Sequence, residues 1–206
     1  MKNIIISFVS QKGGVGKSTL SRAVAVGASQ EKQAVKIADL DTQQGTSTDW
    51  HRQRLNNEFD SIGSVELFGT AEKALKEANN YDFLIVDCPA RASQSTLKIA
   101  KKSDLVLIPT GASRDDLIPA IKLGFELEDV NKKNVFLVLT RILTEAEAKD
   151  AKEFIKETGL KVIDHFLMEK AGYKQAQNEG LSILETKYKS LNEKADDLIT
   201  SIIEKL

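Results

Sequence analysis

Ten consecutive residues, Ser10-Gln11-Lys12-Gly13-Gly14-Val15-Gly16-Lys17-Ser18-Thr19, bring together three glycines, two lysines and three hydroxyls. They follow the apolar run Asn3 to Val9 and precede an apolar-periodic stretch that begins near Leu20. Glycines leave backbone N–H groups unobstructed, so several amides can converge on one anion. A helix that starts there adds the partial positive charge of its N-terminus. Lys17 supplies a full charge for the β and γ oxygens of a triphosphate, and the Ser18 hydroxyl stands where a Mg²⁺ ligand is needed. Strand, glycine-rich loop and helix in that order form the context such a loop requires. The expected nucleotide contacts are Lys12, Gly13, Gly14, Val15, Gly16, Lys17, Ser18 and Thr19.

The loop departs from the common phosphate-loop pattern: the residue five before Gly16 is Gln11 rather than glycine, and Lys12 stands beside it. Two lysines raise the local charge beyond what the inner face of one triphosphate needs. A plain solvated loop lysine is the competing reading of Lys12.

Two acidic strand ends complete the set. Asp39-Leu40-Asp41 carries two carboxylates with a spacing that points both to one side of an extended chain. Either could instead cap a helix near Ser47 to Arg54. Phe83-Leu84-Ile85-Val86-Asp87 runs four apolar residues into an aspartate, the form in which a buried strand delivers a carboxylate to a metal's surroundings. Asp87 and Ser18 are therefore expected Mg²⁺ residues. Cys88 reads as a small buried residue, with no nucleophile or metal partners near it.

Positioning these groups demands a sheet. Short β-branched runs at Asn3–Val9, Ala34–Ala38, Val65–Leu67, Asp82–Val86, Asp104–Ile108, Asn134–Leu139 and Lys161–Ile163 alternate with amphipathic stretches. Those stretches include Leu117, Ile121 and Phe125, and Ala71, Ala74, Leu75 and Ala78. The pattern predicts an α/β, doubly wound, mostly parallel sheet with helices on both faces. A last helix over Thr186–Leu206 sets Tyr188, Leu191, Ala195, Leu198, Ile202 and Leu206 in one stripe. Packing on the body of the protein is the first reading of that stripe. A membrane-surface helix is the second, but Glu193, Asp196, Asp197 and Glu204 give its polar face the wrong sign for anionic lipid.

The 206 residues carry 29 Lys and Arg against 30 Asp and Glu, so no whole-chain field draws the protein to nucleic acid or membrane. The length suits one domain, residues 1–206. The single cysteine excludes an intramolecular disulfide, the first residues lack signal-peptide layout, and no apolar run spans a bilayer, so a cytoplasmic protein is expected.

The string Lys-Gly-Gly-Val-Gly-Lys-Ser in this context resembles the deviant Walker A ATPases of the ParA/MinD family. Asp39, Asp41 and the Asp87-Cys88-Pro89-Ala90 segment are similar to that family's further motifs, with softer agreement through Gly180, Ser182 and Glu185. The resemblance is nearest to the short plasmid-partition branch, type Ib and ParF-like, in which no helix-turn-helix domain precedes the ATPase; eleven residues stand before Lys12 here.

The resemblance implies an ATP hydrolase with ATP and Mg²⁺. Lys12, Lys17 and Asp41 would act in catalysis, Lys12 by reaching the nucleotide of a partner in an ATP-bridged homodimer and Asp41 by orienting the attacking water, and Asp39 would support the hydrated Mg²⁺. It places Arg141 and Met168 near the adenine, although Arg141 equally reads as a solvated strand-end arginine. Leu107 to Thr110, with Ser113, Asp116 and Leu117, matches the segment flanking the dimer face.

A cycle of plasmid or chromosome partition follows from the same resemblance. The ATP-bound dimer would bind nonspecific DNA or polymerise, sit on the nucleoid and leave the membrane alone, and a small ParB/ParG-like centromere-binding protein would trigger hydrolysis. Lys149, Lys152, Lys156, Lys170, Lys174, Lys187 and Lys189 form the candidate DNA surface, and a solvated mixed-charge face is the competing reading. The rivals are a MinD-like membrane-positioning ATPase and an ATP-dependent amidoligase. An iron–sulfur reductase of this fold would want two cysteines per subunit.

Overall fold

The computed structural model describes residues 3–90, 94–130 and 134–206. Six strands, β1 (Ile4–Ser10), β2 (Val35–Asp39), β3 (Ser64–Leu67), β4 (Phe83–Ala90), β5 (Leu105–Thr110) and β6 (Val135–Leu139), form one sheet in the order β3-β2-β4-β1-β5-β6. Every pairing is parallel, where the sequence suggested a mostly parallel sheet. All residues of β2 and of β5 are buried. The apolar run Leu105 to Pro109 of β5 is what a sheet covered on both faces requires, and Lys36 within β2 is met by Glu66 and Glu77 at 2.6 and 3.0 Å.

One face carries α3 (Ala71–Lys76), α4 (Gln94–Lys102), α5 (Arg114–Glu128) and α6 (Glu145–Glu157), whose apolar residues join the sheet in one core. The other carries α1 (Lys17–Gln30) and α8 (Lys189–Ile203), with Trp50 of α2 (Thr46–Asn56) and Tyr173 of α7 (Ala171–Asn178). The connection leaving β1 passes over β4 to reach β2, and the one leaving β4 passes over β1 to reach β5. Connections that diverge in this way open a crevice at the carboxyl ends of β1 and β4.

Two expected elements come out differently. The run Lys161–Ile163 is not a seventh strand but a single parallel bridge between Val162 and Leu137. Leu137 donates to the Lys161 carbonyl and accepts from the Ile163 amide, so only one residue of this short segment lies against β6. The last helix begins at Lys189 rather than Thr186. Thr186 spends its amide and hydroxyl on the Asn192 side chain, at 2.9 and 2.6 Å, which holds the chain in a turn before the helix starts.

The stripe of α8 faces inward. Ala195, Leu198 and Ile202 are fully buried, Ile199 nearly so, while Tyr188 and Leu206 at the ends are exposed. Burial of each large aliphatic side chain is worth about 1.5–3 kcal/mol, which holds Leu198, Ile199 and Ile202 in the core rather than in lipid. No described helix is long and apolar enough to cross a membrane.

Candidate functional site

The glycine-rich loop sits at the crevice. β1 ends at Ser10, and α1 begins at Lys17 after Gly16, whose φ of 90° is a left-handed conformation that glycine adopts without strain. The Thr140 hydroxyl, at the end of β6, donates to the Val15 carbonyl at 2.8 Å and braces the loop from beneath. Lys17 is buried, and its ammonium donates to Ser10 Oγ at 3.0 Å. Ser10 in turn donates to the Lys12 carbonyl at 2.6 Å. Burial pushes the Lys17 pKa down, opposed by the charges of Asp87, Cys88 and Asp41. A hydroxyl rather than a carboxylate is its hydrogen-bond partner, which leaves the charge to an arriving anion.

Beside the loop lie two buried acids that face each other across adjacent strands, Asp39 and Asp87 being register partners of β2 and β4. Asp39 accepts at Oδ1 from the Asp41 amide at 3.0 Å, and at Oδ2 from the Ser47 and Thr48 amides at 3.0 and 3.2 Å. It is therefore Asp39, not Asp41, that caps a helix, and it does so for α2 from a distance. Asp87 accepts from the Ser47 hydroxyl at 2.7 Å through Oδ2, while its Oδ1 has no hydrogen-bond partner among the described residues. Burial raises the pKa of both acids and each is flanked by charge: Asp87 raises Asp39 further, whereas Ser18, Ser47, Arg22 and Lys17 pull Asp87 down.

A buried carboxylate oxygen with nothing to accept, next to a second buried acid and the Ser18 hydroxyl, is a donor set suited to a hard divalent cation and its water shell. These residues fit Mg²⁺. Ser18 would hold it, and Asp87 and Asp39 would hold its surroundings.

Arg22, one turn beyond Ser18 on α1, ties this corner together. Its Nε donates to Ser47 Oγ at 3.3 Å, its Nη2 to the Thr46 carbonyl at 2.5 Å, and its guanidinium lies 5.3 Å from the centre of the Trp50 ring. Burial lowers its pKa to about 10, opposed by Asp87 and Asp39, so it remains charged at neutral pH.

A cavity of about 550 Å³ opens over the loop, a size that suits a nucleotide. Gly13, Gly14, Gly16, Lys17, Ser18 and Thr19 line it, as do Asp41, Arg141 and Met168. Arg141 takes a left-handed φ of 58°, unusual for a non-glycine residue, and its Nε stands 3.8 Å from Glu169. Met168 is fixed by a bridge to Ile142. Thr19 donates to Gln177 of α7 at 2.9 Å, linking the loop to the far wall.

Of the remaining expected residues, Val15 is buried under the loop, and Asp39 and Asp87 lie below the cavity floor. Cys88 is buried, and burial raises its thiol pKa well above the ordinary range, which matches an inert packing role. Lys12 does not line the cavity. Its ammonium points the other way and pairs with Asp116 Oδ1 at 2.9 Å, on the first turn of α5. The sequence pattern did not single out Arg22, Thr46, Ser47 or Gln177. Arg22 was within reach, since a spacing of four from Ser18 puts both on one face of a helix; the others are single hydroxyls or amides with no pattern of their own.

Three of the seven lysines of the candidate basic surface pair with acids. Lys149, Lys174 and Lys189 pair with Glu153, Glu169 and Glu193, and Lys152 donates to the Asp164 carbonyl over the Phe166 ring.

Comparison with known proteins agrees with this architecture. Residues 6–183 match the family described as the CobQ/CobB/MinD/ParA nucleotide binding domain. A maintenance of carboxysome distribution protein A from Halothiobacillus neapolitanus is 26% identical over 192 residues, covering 89% of this chain and 88% of that protein. The MinD cell division protein of Aquifex aeolicus superposes with a TM-score of 0.76 at 21% identity, covering 98% of this chain and 97% of that one. A putative plasmid partition protein of Borrelia burgdorferi bound to AMPPNP superposes with a TM-score of 0.74 at 20% identity over the whole of both chains. With the family model matching most of its length and the glycine-rich loop, the acidic strand ends and the cavity in place, this chain belongs to the ParA/MinD family of nucleotide-binding proteins.

Proposed function

We propose that this protein is an ATP-hydrolysing switch that dimerises around ATP and uses the dimer to position a cargo. The observation that carries the reading is the division of labour between the two loop lysines. Lys17 is buried at the cavity floor with no acid among the described residues bound to it, while Lys12 stands on the rim, 40% exposed, directed away from its own cavity. A cation so placed suits the nucleotide of a second copy better than its own.

In this reading the loop amides and Lys17 bind the β- and γ-phosphates. Asp41, at the cavity wall, orients the attacking water, and Lys12 of the second copy reaches the transferring phosphoryl group once the dimer closes. Mg²⁺, when bound, supplies charge to the phosphate oxygens. Arg141 and Met168 flank the base.

The cargo in the first reading is plasmid or chromosomal DNA. The ATP dimer would hold to nonspecific DNA of the nucleoid or associate further, and a small ParB/ParG-like protein would stimulate hydrolysis. The second reading has a protein compartment as cargo; it is favoured by two curated relatives, each 26% identical, that are named for carboxysome distribution. A MinD-like membrane role is disfavoured because the apolar stripe of α8 is committed to the core.

The test is sedimentation and DNA retention with ADP, ATP and a nonhydrolysable analogue, for the parent chain and for Lys12→Ala. The variant should keep nucleotide binding and lose ATP-dependent dimerisation and turnover. A dimer and turnover equal to those of the parent would end the proposal.

A further inference from the structure

The first turn of α2 is held by side chains of β2, β4 and α1. Asp39 takes the amides of Ser47 and Thr48, Asp87 takes the Ser47 hydroxyl, and Arg22 takes the Thr46 carbonyl. The result is to place the Thr46 hydroxyl 3.1 Å from Ser18 Oγ, with both residues on the cavity wall. The helix has no use for that hydroxyl as a cap, since its N-cap is Gly45 and its first amides are met by Asp39.

We propose that Thr46 is a second protein ligand of the nucleotide-bound Mg²⁺, sharing the cation with Ser18. The inference rests on the nucleotide and Mg²⁺ reading of the cavity and deepens it. Three observations support it. Neighbouring ligands of an octahedral Mg²⁺ with bonds of 2.0–2.1 Å are separated by about 2.9 Å, close to the 3.1 Å between the two hydroxyls. The hydroxyls are held by different helices that Arg22 clamps together, so the pair is formed before any cation arrives. A hydroxyl that binds a cation keeps its proton and needs an acceptor for it, and the carboxylate of Asp87, held to Ser47 next to Thr46, keeps a buried Oδ1 with no hydrogen-bond partner among the described residues.

The functional consequence is a link from cation to α2. A cation held by Ser18 alone would report only on the phosphate loop. One held also by Thr46 fastens the segment from Asp41 to Thr46 to the nucleotide, and Asp41 lies within that segment. Thr46 is thus a cation-binding residue that also positions Asp41.

The experiment compares the parent chain with Thr46→Val, which keeps the shape and removes the oxygen, and Thr46→Ser, which keeps the oxygen. Affinity for a fluorescent ADP derivative is measured with excess EDTA and across a MgCl₂ titration. Expected is an unchanged affinity in EDTA for all three, with the Mg²⁺ half-saturation raised about tenfold or more in Thr46→Val and restored in Thr46→Ser. A Thr46→Val chain whose Mg²⁺ half-saturation equals that of the parent, even with a lowered thermal midpoint, overturns the proposal and leaves a hydrogen bond between helices. A parent chain whose ADP affinity ignores Mg²⁺ overturns the cation reading of the site as well.

Discussion

Lys12 Nζ and Asp116 Oδ1 stand 2.9 Å apart, across 104 residues of sequence, and Asp116 is held in turn by the Ser113 hydroxyl at 2.8 Å. Burial alone would raise the Asp116 pKa, but the Lys12 and Ser113 contacts outweigh it and hold the carboxyl below its ordinary value. In the single copy, therefore, the rim lysine already has an anion. Any phosphate of a second copy must compete with Asp116 for it.

Replacing Asp116 with Asn removes that competitor while retaining a side-chain oxygen that can accept from Ser113, the residue that caps α5. The pair is partly exposed, so each is worth only about 0.5 kcal/mol after screening, or roughly 1 kcal/mol over two protomers. The dimer formed with a nonhydrolysable ATP analogue should tighten about fivefold in sedimentation equilibrium. A weaker dimer would mean that Asp116 directs Lys12 rather than restrains it.

Asp41 lines the cavity, and among the described residues its carboxylate accepts only from the Gln44 amide, at 3.2 Å. Asp41→Ala should leave nucleotide affinity near that of the parent and reduce single-turnover hydrolysis by about 100-fold or more. Affinity and turnover falling together would assign Asp41 to binding instead.

Arg54 and Glu185 form a two-pronged pair at 2.7 and 2.9 Å that fastens α2 to the chain after α7, and the Ser182 amide adds a bond of 2.8 Å. Burial would raise Glu185, but Arg54 and Ser182 outweigh it and lower its pKa below the ordinary 4.5. A lowered carboxyl contributes stability that is complete above 4.5 and lost as the pH falls through the folded value. Glu185→Gln leaves Arg54 buried without its charge partner and should cost about 3 kcal/mol by urea unfolding at neutral pH. It should also flatten the parent's decline in stability below pH 4.5; an equally steep acid limb in both chains would refute the assignment.

Leu198 is wholly buried where α8 meets α1. Leu198→Ala should destabilise the fold by about 2–5 kcal/mol, and flotation with anionic vesicles should recover neither this variant nor the parent chain. Parent protein floating with ATP would revive the membrane reading.

The parts of the site that lie close together along the chain were legible without coordinates. A glycine-rich loop between a strand and a helix is contiguous in sequence, so residues 10–19 could be read as one motif, and Asp39, Asp41 and Asp87 announce themselves as carboxylates at the ends of apolar runs. Parallel strands covered on both faces left equally plain apolar runs, which is why the α/β class could be read. Lys161–Ile163 has the same composition but pairs through one residue, a distinction set by where the neighbouring edge runs rather than by propensity.

What only the folded chain decided is which acid does which work and where each lysine points. Asp39 rather than Asp41 became the cap of α2 because α2 docks with its first amides over the end of β2. Lys12 turned to Asp116, 104 residues away, and Thr19 met Gln177 at a separation of 158. Hydrogen bonds and ion pairs of that span depend on distances of a few tenths of an ångström between elements packed by the core. Residue type and spacing record that a hydroxyl or a charge is present, but only the packing of α1, α2 and α5 on the sheet brings Ser18 to Thr46 and Lys12 to Asp116.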